Sequence, residues 1–222
     1  MFERVISLIG ESNYNKIKDK KILIVGVGGV GGTALEALVR SGIENITIVD
    51  YDIIDKSNLN RQLITNETNI GNLKVLEAKN RCLSINSNLN IKTFDIKLNK
   101  ENISIIEDNY DYIIDSCDSI DAKIELYKYA KCNNIKIISS MGMGNRLDPS
   151  KICISTLNKT INDPLARIIR KRCKEENIDL DIPVVYSTEL PIKKDGVYSM
   201  IITPSTAGLY IAYYIINDII NL

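Results

Sequence analysis

The 222-residue chain contains no histidine. That gap removes the commonest general base and the commonest transition-metal ligand, so serine-histidine and cysteine-histidine hydrolase chemistry is excluded. Its five cysteines are scattered at Cys82, Cys117, Cys132, Cys153 and Cys173, with no C-x-x-C pair among them. An odd, dispersed set argues against a disulfide framework and a four-cysteine zinc site, and reads as reduced, mostly buried thiols. Net charge is missing too: Lys+Arg and Asp+Glu both number 28, so a nucleic-acid or membrane partner would have to be met by a local patch. Met1-Phe2-Glu3-Arg4 begins no charged-then-apolar signal pattern, and no apolar run is long enough to span a membrane. Gly208 to Ile216 comes nearest, but it is too short and Asp218 follows it. A cytoplasmic protein without membrane contact is the expectation.

What is present reads as a single α/β domain with a sizeable core, at 45% hydrophobic and 25% charged residues. Apolar runs at Lys21–Val25, Asn45–Val49, Tyr112–Ile114 and Ile135–Ser139 look like buried strands. Helical periodicity lies between them, as in the stripe Val75, Ala78, Cys82 and Ile85. This alternation predicts a doubly wound, Rossmann-like sheet that is parallel in its first part. In the last third, Ile152–Leu157, Pro183–Ser187 and Val197–Thr203 read as strands, predicting antiparallel additions that make the sheet mixed. Between the first two, Asp163 followed by Pro164 predicts a capped helix running to about Glu176. A largely apolar helix with its centre over Ser205–Ile219 must bury itself against the sheet or a second subunit.

Lys21 to Gly32 places Gly26-x-Gly28-Gly29-x-Gly31 directly after a strand and before a helix that stops at Gly42. Gly26 permits the tight turn, Gly28 lets the backbone approach phosphate oxygens, and Gly31 allows close helix packing. The next strand ends in Asp50, correctly placed to accept from ribose hydroxyls. These features fit ATP and NAD alike.

The following stretch favours ATP: Asp50-Tyr51-Asp52, then Asn58-Leu59-Asn60-Arg61-Gln62, then Gly71-Asn72-Leu73-Lys74. A triphosphate needs cations near its β- and γ-groups, and Arg61 offers a planar fork while Lys74 offers a point charge near a helix start. Either residue alone is more often a solvated charge; the constellation carries the signal. Asp115 and Asp118 end another parallel strand, where both acids can face the nucleotide. Asp118 is the expected magnesium-associated acid and Asp115 its support, because magnesium prefers hard oxygen ligands.

These elements together resemble the ThiF/MoeB/HesA family, relatives of the ubiquitin-activating enzymes. The resemblance covers about the first half of the chain and implies a homodimer that uses ATP and magnesium to adenylate a carboxylate. It also implies that an amino-terminal arginine, Arg4 here, reaches the other subunit's site. One family domain over 1–222 is then expected, with an amino-terminal arm and helix (1–20), a crossover region (158–196) and a terminal helix (204–221). The second half, through Leu157 to Arg167 and Val184 to Glu189, looks like the branch of tRNA threonylcarbamoyladenosine dehydratases. That branch activates the carboxylate of a modified tRNA adenosine and cyclises it with loss of water. Activators of ubiquitin-like sulfur carriers, with sulfur-transfer partner proteins, are the closest alternative, but they usually carry two zinc-binding C-x-x-C pairs that this chain lacks. An NAD-dependent oxidoreductase is a more distant one. Arg167, Arg170, Lys171 and Lys174 share one face of the predicted helix after Asp163 and are the candidate tRNA contacts.

Such chemistry suits a chain without histidine. A carboxylate is already ionised at neutral pH, so the task is to neutralise phosphoryl charge rather than to move a proton.

Overall fold

The computed structural model describes residues 1–106 and 109–220. Strands form where aliphatic residues run unbroken, because a strand covered on both faces has no polar side to alternate with. In β1 (Lys21–Val25) only Lys21 is exposed, and β2 (Asn45–Val49) and β4 (Tyr112–Asp115) are similarly enclosed. With β3 (Asn90–Phe94), β5 (Lys136–Ser140), β6 (Ile152–Thr156) and β7 (Pro183–Ser187) they make a seven-stranded sheet in the order β3-β2-β1-β4-β5-β7-β6.

Successive side chains of a strand point to opposite faces. Ile22 and Ile24 of β1 therefore pack with α3 (Gly29–Ser41), α4 (Lys74–Ile85) and α7 (Ile202–Ile220) on one side. Leu23 and Val25 pack with α5 (Ile120–Cys132) on the other. A third cluster joins α5 to α6 (Pro164–Glu175) over β7. Two short helices, α1 (Glu3–Ile9) and α2 (Glu11–Lys18), precede β1. Gly42 ends α3 in the left-handed conformation at φ 108°, as the sequence implied. Among the described residues no helix is long and apolar enough to cross a membrane.

The last third differs from expectation in two ways. Only β6 runs antiparallel, pairing Ile154 with Val185, whereas β7 pairs parallel with β5 through Ser139 and Val184. Val197–Thr203 is not a strand: it is an irregular segment that turns into α7 at Ile202. Its hydrogen bonds go to side chains and loops instead of a ladder. Asn145 donates to the Tyr198 and Gly196 carbonyls and accepts from the Tyr198 and Ile192 N–H groups. The terminal helix thus starts earlier than the sequence suggested, and its expected end at Asn221 lies outside the described residues. β3 gave no signal because it is an edge strand in which only Ile91 is fully buried.

Candidate active site

Strand order reverses between β1 and β4, and ligands of open α/β sheets lie at the carboxyl ends of strands beside such a switch point. A cleft of about 280 Å³ opens there, lined by residues that follow β1, β2, β3 and β4. Gly26 takes φ +88°, a conformation side chains resist, and a Cβ on it would lie 2.8 Å from the Ser116 carbonyl oxygen. A Cβ on Gly31 would lie 1.9 Å from the Gly26 carbonyl oxygen, so glycine alone lets α3 press against the turn. No side chain caps α3, which leaves its first N–H groups and the positive end of its dipole for an anion beside Gly28 and Gly29.

Asp50 closes the opposite wall. Its Oδ2 accepts from the Val27 N–H at 2.7 Å and its Oδ1 from the Asp52 N–H at 2.9 Å. Burial pushes its carboxyl above the usual range, against the lowering effect of those N–H donors and of Lys74. Lys74 is almost wholly buried at the first turn of α4, and its Nζ meets Asp52 Oδ2 at 2.6 Å. Arg61 Nη1 donates to the Ser57 carbonyl at 2.7 Å and to Asn60 Oδ1 at 2.9 Å, with the residue on the cleft wall. Asn58 caps its own turn by accepting from the Asp55 N–H, and it also lines the cleft. Gln62 lines it as well, and its buried Oε1 has no partner among the described residues.

Asp118 lies exposed at the cleft wall, but Asp115 does not share that position. Both acids were expected to face the nucleotide. The structure instead turns Asp115 inward, where it accepts from Lys123 Nζ, Ser139 Oγ and Cys117 Sγ in complete burial. Asp115 shares its face of the sheet with its β1 neighbour Val25, but Lys123 of α5 covers it there, and an ionised carboxylate survives such burial only with a cation beside it. Asn60 is likewise turned aside, since its amide donates to the Ser199 carbonyl at 2.8 Å, toward the irregular segment. Gly31 supports the turn from behind without lining the cleft.

The motifs did not single out the residues of the remaining wall. Lys97 lies over the Tyr51 ring at 5.4 Å, and both line the cleft with Ile96, Leu98, Ser116 and Ser119. Residues 96–98 follow the edge strand in an irregular stretch with no motif, so only folding brings them here. Cys117 lines the cleft too, but burial foremost, and then the Asp115 charge, pushes its thiol well above the usual range, which disfavours a nucleophilic thiolate. Cys173 is buried on α6, its thiol raised to about 11 by burial.

Arg4 sits exposed on α1, and none of the cleft-lining residues comes from that helix. On α6, Arg167, Lys171 and Lys174 are exposed, but Arg170 turns back to the Leu157 and Thr160 carbonyls and the Thr160 hydroxyl. The expected basic face of four is therefore three, because the fourth guanidinium caps the turn before the helix.

Magnesium keeps most of its waters and needs one or two carboxylates beside substrate phosphates. Asp118 meets that modest requirement, and among the described residues no group of three metal-ligating side chains converges to hold an ion alone.

A glycine turn at the switch point, with Asp50, Arg61 and Lys74 on the walls of the same cleft, marks an α/β domain of the nucleotide-binding class. The chain belongs to the ThiF family, whose model matches residues 2–207. It is 33% identical over 240 residues to the tRNA threonylcarbamoyladenosine dehydratase of Bacillus subtilis (strain 168), covering 99% of this chain and 94% of that protein. The solved structure of the E. coli tRNA N6-threonylcarbamoyladenosine dehydratase with AMP superposes with a TM-score of 0.93 at 31% identity, over 98% of this chain and 93% of the other. The same enzyme with ATP superposes equally well, with a TM-score of 0.93 at 30% identity over 99% and 93% of the two chains.

Proposed function

We propose that this chain uses ATP to adenylate the carboxylate of threonylcarbamoyladenosine in tRNA and closes the product with loss of one water. The observation that carries this reading is the convergence of Arg61, Lys74 and Asp118 on the cleft that the glycine turn opens. The near full-length similarity to a dehydratase of that name supports the choice of substrate.

A carboxylate oxygen of the substrate attacks the α-phosphorus and the bond to pyrophosphate breaks. α3's amino end, Arg61 and Lys74 hold the phosphate charges, and Asp52 holds Lys74 in place until they arrive. Asp50 accepts from the ribose and Tyr51, with Lys97 above it, flanks the base. Asp118 would hold magnesium, which would supply further neutralisation of the phosphates. An internal nucleophile of the substrate then attacks the activated carbonyl and gives up its proton to solvent while AMP departs with one carboxylate oxygen, so the nucleoside loses the elements of water. No step requires a histidine.

The working unit is a homodimer in which Arg4 crosses to the partner's cleft, and Arg167, Lys171 and Lys174 lie along the tRNA backbone. A cytoplasmic location accords with a tRNA substrate. The test is to incubate the protein, ATP and magnesium with tRNA bearing threonylcarbamoyladenosine and weigh the nucleoside. A loss of one water is expected; an unchanged mass with protein that still binds ATP rejects the substrate.

A further inference from the structure

Arg61 stands at the amino end of α3. A Cβ on Gly29 would lie 3.6 Å from the Arg61 Cγ and 3.0 Å from the Pro204 Cβ, so the arginine stem and the first turn of α7 both close on the glycine turn. The guanidinium is pinned at one corner: Nη1 donates to the Ser57 carbonyl at 2.7 Å and to Asn60 Oδ1 at 2.9 Å. Nε and Nη2 meet no acceptor among the described residues. Those two groups form a flat edge with which an arginine binds two oxygens of one anion.

Asn60 holds the arginine without cancelling its charge. Lys74, another cation of the cleft, is matched at 2.6 Å by the Asp52 carboxylate. Arg61 is held instead by an amide oxygen and a peptide carbonyl, both neutral, so its whole charge is left for an incoming anion. The Asn60 amide is itself oriented, because its Nδ2 donates to the Ser199 carbonyl at 2.8 Å while its Oδ1 faces Arg61. Ser199 belongs to the irregular segment that Asn145 braces through Gly196 and Tyr198, so the amide is tied to a held backbone. An aspartate in this position would repel the Ser199 carbonyl and form an ion pair with the guanidinium.

We propose that Asn60 is a positioning residue for adenylation. It does not touch the nucleotide; it locks one corner of Arg61 so that the Nε–Nη2 edge is preset for phosphate oxygens, and it does so with a neutral acceptor. Presetting matters because an unrestrained arginine loses side-chain entropy when it binds, and a donor already in place needs no reorganisation as phosphoryl charge develops. This inference rests on the proposed function and adds to it a residue one step behind the phosphates.

The experiment is a double-mutant cycle on ATP–pyrophosphate exchange, with the modified tRNA present, comparing Asn60→Ala, Arg61→Ala, the two together, and Asn60→Asp with the unaltered protein. Asn60→Ala is expected to lower kcat/KM for exchange roughly tenfold, the scale of one hydrogen bond to a charged group. In the Arg61→Ala background the same change should have no further effect, within about twofold, because the side chain it positions is gone. Asn60→Asp should lose more than Asn60→Ala, since it keeps an acceptor but pairs the cation and adds a negative charge near the phosphates. A residue that only tied down Ser199 would give the same loss in both backgrounds. That result overturns the proposal and leaves the function standing, as would parent-like exchange by Asn60→Ala or by Asn60→Asp. Full exchange by Arg61→Ala would instead remove the functional reading of the cleft and this inference with it.

Discussion

Lys123 Nζ donates to both carboxylate oxygens of Asp115 at 3.0 Å, with neither side chain exposed to solvent. The same Nζ reaches the Ser139 hydroxyl and the Ser140 carbonyl, so one buried cation ties the ends of β4 and β5 to α5. Asp115 in turn accepts from Cys117 Sγ at 3.1 Å, which anchors the turn leading to Asp118.

Breaking this pair leaves a charge buried without a counter-ion. Lys123→Met or Asp115→Asn alone should therefore cost about 3–5 kcal/mol of stability. The double variant should lose less than the sum of the two, because it removes both charges. Urea unfolding of the four proteins reads the coupling directly, and additive losses would show that the two residues act independently.

Arg61→Ala and Asp118→Ala should each lower ATP–pyrophosphate exchange, measured with the modified tRNA present, by roughly 100- to 1,000-fold. Neither side chain is buried, so unfolding temperatures should stay close to the parent's. Undiminished exchange in both variants would remove the assignment of the cleft.

Two glycine substitutions separate space from strain. Gly71 has φ +90° with nothing near its would-be Cβ, so Gly71→Ala should cost only the backbone strain of about 1–2 kcal/mol. Gly31→Ala drives a methyl into the Gly26 carbonyl and the Ser116 hydroxyl, and it should abolish ATP binding along with a larger loss of stability. Equal behaviour of the two proteins would contradict the close approach of α3 to the turn.

Asp50 gives the site a pH dependence. Its folded pKa is raised, mainly by burial, so the protein holds this proton more tightly than the unfolded chain does. Its contribution to stability is therefore fully present below the ordinary aspartate range and is lost as pH rises through the folded value. Ribose hydroxyls need the ionised carboxylate, so ATP affinity should fall on acidification before an ordinary aspartate would titrate. Calorimetric titration with ATP from neutral to mildly acidic pH checks this, and Asp50→Asn should flatten the profile while weakening binding throughout.

Mixing Arg4→Ala with Asp118→Ala protein tests whether the arm crosses between subunits. Each variant alone should be nearly inactive. After random exchange, half the dimers are mixed and each holds one complete site, so about a quarter of the parent activity should return. If the arginine serves its own subunit, no mixed site is complete and activity stays absent.

Some of this architecture was legible in the residues. The aliphatic runs of β1, β2 and β4, the glycine spacing before α3 and the Asp163-Pro164 start of α6 are local signals. Each depends on neighbours within a few positions, as the Asp163 carboxylate shows by accepting from the Ala166 N–H at 2.9 Å. Val197–Thr203 misled because β-branched and aromatic residues suit a strand only when an open sheet edge is within reach. Here Asn145 and Asn60 satisfy that backbone instead.

Sequence by itself therefore determined the strand–turn–helix that cradles phosphate and the kind of charge that gathers beside it, because both are written in short-range spacing. Tertiary structure decided which charges reach the cleft. Asp115 and Asp118 are three positions apart on one motif, yet the packing of α5 puts Lys123 over the first, while the second, past the end of β4, stays at the cleft wall. Lys97 and Tyr51 meet there only because β2 and β3 lie side by side, a long-range pairing that no local pattern encodes.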